Sequence, residues 1–70
     1  MDKFRLEYEM KRKGISVENL CEKIGISRSA YYRKCNGKSE FTRGEIEEIM
    51  KVLGISLEDG IHIFFTSEVS

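Results

Sequence analysis

The chain has 70 residues, 40% of them hydrophobic and 34% charged, with 12 basic and 12 acidic side chains and so no formal net charge. That length holds one small domain with a small core, and no apolar run approaches the ~18 residues of a membrane span. Proline is absent and Leu, Ile, Glu, Lys and Arg are plentiful, which points to an all-α chain.

The first predicted helix runs from about Lys3 to Lys13. Phe4 and Tyr8 are spaced i, i+4, as are Leu6 and Met10, with charges between them. Gly14 stops it. Ser16 is a good N-cap for a second helix, on which Val17, Leu20, Cys21 and Ile24 make a narrow apolar stripe. Gly25 ends that helix, and Ser27 caps a third in which Tyr31 and Cys35 are one turn apart. Tyr31 is expected in the core. Asn36 and Gly37 close the third helix, and a polar loop follows over 37–41. Thr42 and Glu45 have capping-box spacing and open a fourth helix with the stripe Ile46, Ile49, Met50 and Leu53, closed by Gly54. Ser56 opens a fifth, whose stripe reads as Leu57, Ile61, Phe64 and Phe65. The run 61–66 has strand-like composition, but a lone strand would have no partner, so helix is expected there too.

Chemistry is sparse. Cys21 and Cys35 form no CxxC pair and His62 is the only histidine, so four metal ligands cannot be gathered without carboxylates. No nucleophile–base set is present, and one histidine without placed carboxylates makes no acid/base site. No enzyme, metal or cofactor is expected. No secretory leader opens the chain, so a cytoplasmic location with reduced thiols is expected.

Zero net charge conceals an asymmetry. Residues 1–13 sum to +2 and residues 14–26 to −1. Residues 27–43 carry Arg28, Arg33, Lys34, Lys38 and Arg43 against Glu40 alone, a net +4. Residues 44–70 carry Lys51 against six carboxylates, a net −5. A basic middle and an acidic final third suggest one face for a polyanion and another that avoids it.

The spacing of the second and third helices sharpens that suggestion. Only Gly25, Ile26 and Ser27 join two short helices, as in a helix-turn-helix over about residues 16–36. Glycine can take the left-handed conformation that redirects the chain. Cys21 is small enough for close helix approach, while Ile26 and Tyr31 fill the gap. The second helix of such a pair can enter a DNA major groove.

The stretch NLCEKIGISRSAYYRKCNGK, followed by the ending LGISLEDGIHIFF, resembles the Cro/cI-type helix-turn-helix of small phage and prophage repressors. The resemblance covers about Leu6 to Phe65. It implies a five-helix lambda-repressor-like domain and sequence-specific binding of double-stranded DNA by a transcriptional regulator. It also assigns roles. Arg28, Ser29 and Arg33 fall at base-reading positions, and Ser27, Tyr32 and Asn36 fall on the same groove-facing side. Ser16, Asn19, Lys38 and Arg43 match phosphate-contacting positions. The chain departs from the family pattern at Val17, where many relatives have glutamine. It departs again at Lys34, where an aliphatic residue is usual, so that either the lysine snorkels or the third helix is slightly rotated. Met10 and Cys35 stand where well-known members place an ion pair, and both are expected to be buried and in contact.

Nothing is left over for a small-molecule pocket. Such modules commonly pair on two half-sites, so a homodimer on a palindromic operator is expected. Its interface is expected at Ile61, Ile63, Phe64 and Phe65, with Ile63 lying off the core stripe and Val69 following in the tail. Two alternative readings of the chain keep the same fold: a protein-interaction module of antirepressor or antitoxin type, favoured by the neutral net charge and the acidic final third, and a phage recombination accessory factor that bends DNA.

Overall fold

The computed structural model describes residues 1–65. Five helices follow in order: α1 (Lys3–Lys13), α2 (Val17–Ile24), α3 (Arg28–Cys35), α4 (Arg43–Leu53) and α5 (Leu57–Phe64). No strand occurs among the described residues. Every helix starts on a side-chain cap: four are those that sequence spacing selects, and Asp2 at the start of α1 is a fifth that sequence reasoning did not name. Asp2, Ser16, Ser27, Thr42 and Ser56 each accept a hydrogen bond from a backbone N–H three residues on. At Thr42 the bond is reciprocal, since Glu45 accepts from the Thr42 N–H at 2.9 Å.

The core gathers Leu6 and Met10 of α1, Leu20 and Cys21 of α2, Tyr31 of α3, Ile49 and Leu53 of α4 and Ile63 of α5. On α1 the two apolar pairs lie on different faces. Leu6 and Met10 turn inward, and Phe4 and Tyr8 stay exposed. Glu9 is also buried, at 3% exposure. Its carboxylate lies 3.3 Å from Arg12 and 3.8 Å from Arg5, and Arg5 reaches Asp59 of α5 at 3.2 Å. The basic excess of residues 1–13 is thus partly consumed in holding α1 together and joining it to α5. Asp2 adds a second tie between these helices, its N–H donating to Ile63 O at 2.6 Å.

Helix α5 turns three of the four residues of its predicted stripe outward and only Phe64 inward. Leu57, Ile61 and Phe65 are 69%, 47% and 66% exposed, whereas Ile63 is fully buried. The inward face is Gly60, Ile63 and Phe64, spaced i, i+3, i+4. A Cβ on Gly60 would lie 2.6 Å from Met50 Sδ and 2.9 Å from Met50 Cε. The missing side chain lets α5 settle against α4 along that line, and a glycine adds nothing to an apolar count. Phe64 is half-buried and meets Phe41 edge-on at 5.6 Å between ring centroids.

The departure at Lys34 resolves as snorkelling. Its ammonium leaves the core edge to bond Glu45 Oε1 at 2.9 Å and Glu40 O at 3.3 Å, passing 5.7 Å from the Phe41 ring centre. Met10 is buried, but Cys35 is only half-buried, and the polar partner of Met10 Sδ is the Tyr31 hydroxyl at 3.4 Å. Burial pushes the Tyr31 phenol far above its ordinary value, and the adjacent Cys35 thiol adds to the rise. Both cysteines are free thiols.

Candidate nucleic-acid interface

The turn between α2 and α3 is built from its own backbone. Gly25 has φ +79°, and its N–H and that of Ile26 both donate to Cys21 O, at 2.8 and 3.1 Å. A side chain at Gly25 would meet no neighbour within 4 Å, so glycine is required there by its dihedral angle. Beneath the turn, buried Cys21 directs its thiol at Ser27 O, 3.8 Å away. Burial pushes that thiol up, partly offset by the charge of Arg28. Tyr31 belongs to the buried core, and Ile26 packs against that core.

This construction leaves one side of α3 open to solvent. Arg28, Ser29, Tyr32, Arg33 and Asn36 are all exposed, together with Ser27 at the cap. Ser27 Oγ accepts the Ala30 N–H at 3.1 Å, which leaves its hydroxyl proton free to donate outward. Helices α2, α4 and α5 carry acidic side chains in their first turns, but α3 carries none and begins with Arg28. A cation at a helix N-terminus opposes the macrodipole by a few tenths of a kcal/mol or more. The same cation is favourable when a polyanion lies alongside.

The four residues expected to contact phosphate are placed less uniformly. Ser16 and Asn19 are exposed at the start of α2, with Ser16 Oγ accepting the Asn19 N–H at 3.0 Å. Lys38 is exposed just beyond α3, where Gly37 at φ +83° turns the chain and the Lys38 N–H donates to Arg33 O at 2.9 Å. Arg43 opens α4 and pairs with Glu47 at 3.2 Å, although its side chain is almost wholly exposed.

Pairing decides which cations of the +4 segment are available. Lys34 is consumed by Glu45 and Arg43 is engaged by Glu47. Among the described residues, Arg28, Arg33 and Lys38 have no carboxylate partner. These three lie on or just after α3. A residue that sequence reasoning left without a role joins them: Lys3, whose ammonium donates to Asn36 Oδ1 at 3.0 Å. It is 33 positions away in the chain, so no local pattern signals it.

The expected dimer residues divide. Ile63 is fully buried and cannot contact a partner, because the Gly60 face rather than the Leu57 face turns inward. Phe64 is mostly held by Phe41 and the core. Ile61 and Phe65 are exposed and, with Leu57, flank a groove floored by Met50 and Gly60 and walled by Phe41, Ile46 and the Arg43–Glu47 pair. The expected contribution of Val69 lies outside the described residues.

No helix among the described residues is long and apolar enough to cross a membrane. Comparison with curated proteins and with solved structures returned no match. A family model described as the Cro/C1-type helix-turn-helix DNA-binding domain matches residues 5–61, from the first turn of α1 to the middle of α5. The turn, the open face of α3 and that match agree: the chain belongs to the Cro/C1-type helix-turn-helix DNA-binding family.

Proposed function

We propose that this DNA-binding regulator recognises a specific double-stranded operator by laying α3 in the major groove, and that it acts as a repressor of Cro type. The observation that carries this reading is the open face of α3, where Arg28 and Arg33 stand without carboxylate partners among the described residues, beside Ser29, Tyr32 and Asn36. Arginine makes a bidentate contact to guanine O6 and N7, worth about 1–3 kcal/mol of discrimination. Ser16, Asn19, Lys38 and Arg43 contact the flanking phosphates, which fixes register without reading sequence. Arg43 must exchange Glu47 for phosphate to do so.

The protein binds as a two-fold dimer. One small helix-turn-helix buries little surface on DNA, and two copies reading an inverted repeat combine their contacts. The apolar strip of Leu57, Ile61 and Phe65 is the surface that pairs; it keeps Ile61 and Phe65 of the set expected from sequence and replaces Ile63 and Phe64 by Leu57. Half-sites then lie about 34 Å apart, one turn of DNA.

Selection from a random pool of duplex oligonucleotides tests the reading. Recovery of an inverted repeat supports it. An unenriched pool, with weak binding of equal strength to all sequences, removes it and leaves the alternative of a protein-interaction module, for which the acidic α4–α5 surface speaks.

A further inference from the structure

Asn36 is exposed at the end of α3, but its side chain is not free. Lys3, the first residue of α1, donates from Nζ to Asn36 Oδ1 at 3.0 Å. The turn that carries Lys3 is itself anchored. Asp2 caps it by accepting the Arg5 N–H at 3.0 Å, and the Asp2 N–H is bonded to Ile63 O in α5. The ammonium also lies 5.6 Å from the Phe4 ring centre. Lysine has donors only, so it selects the carbonyl oxygen of the amide and turns the NH2 group outward.

That orientation has a consequence for base reading. An asparagine recognises adenine through two bonds at once, accepting from N6–H with its oxygen and donating to N7 with its nitrogen. Here one of the two lone pairs of that oxygen already accepts from an ammonium, and the adjacent positive charge disfavours the approach of a second donor such as the N6 amino group. What remains facing outward is a pair of donors, the Asn36 NH2 group and the Lys3 ammonium. Guanine offers two acceptors on its major-groove edge, O6 and N7.

We propose that Lys3 is a positioning residue that sets the specificity of Asn36, biasing it towards donating and so towards guanine over adenine. The proposal rests on the reading that α3 lies in the major groove. It assigns a role in sequence discrimination to α1, which lies outside the helix-turn-helix.

The test compares sites selected from a random duplex pool by the unaltered chain, by Lys3→Met and by Asn36→Ala. Methionine keeps the length of the stem and removes the charge. The position read by Asn36 is the one whose preference Asn36→Ala erases. The unaltered chain is expected to select guanine there, and Lys3→Met is expected to move the adenine-to-guanine ratio up by about tenfold, with other positions unchanged. An unaltered ratio in Lys3→Met overturns the proposal, as does an adenine preference in the unaltered chain. If Asn36→Ala erases no position, Asn36 reads no base and the proposal falls while operator recognition stands. If the unaltered chain enriches no sequence, operator recognition itself fails. A second measurement needs no change at Lys3 or Asn36, only Arg33→Ala to mark the bases that Arg33 reads. Titrating the unaltered chain against selected sites carrying guanine or adenine at each position in turn must show a position where guanine binds more tightly, adjoining the bases read by Arg33. Equal or reversed affinities there overturn the proposal.

Discussion

Lys34 Nζ lies 2.9 Å from Glu45 Oε1, and the same carboxylate closes the capping box at the start of α4. One side chain therefore joins the last turn of α3 to the first turn of α4. Both partners are largely shielded, with side-chain exposures of 14% and 18%. The loop 37–41 between the helices has no regular structure of its own, so this bond is a main constraint on how far α3 can swing from α4.

The pair makes a pH-dependent contribution to stability. Burial raises the Glu45 carboxyl, but the hydrogen bonds from Lys34 and Thr42 and the Lys34 charge outweigh it, so its value lies below the ordinary 4.5. A carboxyl depressed in the folded state stabilises fully above its unfolded value, and the contribution is lost as pH falls through the folded value. Lys34→Met is expected to cost about 1–2 kcal/mol near neutrality. The gap between variant and unaltered chain should close as the pH is lowered through the range below about 4.5. Urea denaturation across that range measures it, and a gap that stays constant with pH contradicts the assignment.

Gly60 and Met50 are expected to be coupled. Alanine at 60 gains about 1 kcal/mol of helix propensity but brings a Cβ to 2.6 Å from Met50 Sδ. The methionine is flexible, so the single change Gly60→Ala should come out near neutral or mildly destabilising. In a Met50→Ala background the obstacle is gone, and the same change should stabilise by about 1 kcal/mol. The double-mutant cycle therefore carries a coupling of about 1 kcal/mol or more. Additive effects in thermal denaturation would mean that α5 does not lie on α4 along Gly60.

Ile63 and Phe65 should separate folding from pairing. Ile63→Ala empties a fully buried site and is expected to cost about 2–4 kcal/mol of stability. Phe65→Asp changes a side chain that is 66% exposed, so the monomer should keep its melting temperature to within a few degrees, while self-association in sedimentation at tens of micromolar is lost. If Phe65→Asp unfolds the chain, the aromatic ring belongs to the core. If it leaves association intact, the dimer forms elsewhere.

Much of this architecture is legible in the sequence because it is local. Caps at Ser16, Ser27, Thr42 and Ser56 and the turn at Gly25 act over three or four residues, so spacing alone finds them. The facing of α5 is not local. It depends on a glycine whose contribution is an absent side chain, pressed against a methionine from another helix. The buried Glu9 escapes periodicity for a similar reason: a carboxylate enters the core edge only because Arg5 and Arg12 are placed to meet it. The exposed face of α3 follows from the helix-turn-helix pattern, but the choice of unpaired cations within the +4 segment depends on Glu45 and Glu47, one helix later.

Arg33, Lys38 and Arg43 should give three different responses on DNA. Arg33 stands on the open face of α3 without a carboxylate partner among the described residues. Arg33→Ala is expected to cost about 1–3 kcal/mol on the preferred operator and to relax the base preference at one position. Lys38 is exposed beyond the end of the helix, at a position expected to contact phosphate. Lys38→Ala should weaken all sequences alike and lower the slope of log affinity against log salt by about one. Arg43 is already engaged with Glu47 at 3.2 Å, so phosphate must displace a neighbour, and Arg43→Ala should cost less than Lys38→Ala. Glu47→Ala should then tighten binding, since it frees Arg43 and removes a negative charge. Fluorescence anisotropy on the operator and on a scrambled duplex, each at several salt concentrations, separates the three. An Arg33→Ala variant that weakens both duplexes equally would place Arg33 on the phosphate backbone instead of in the groove.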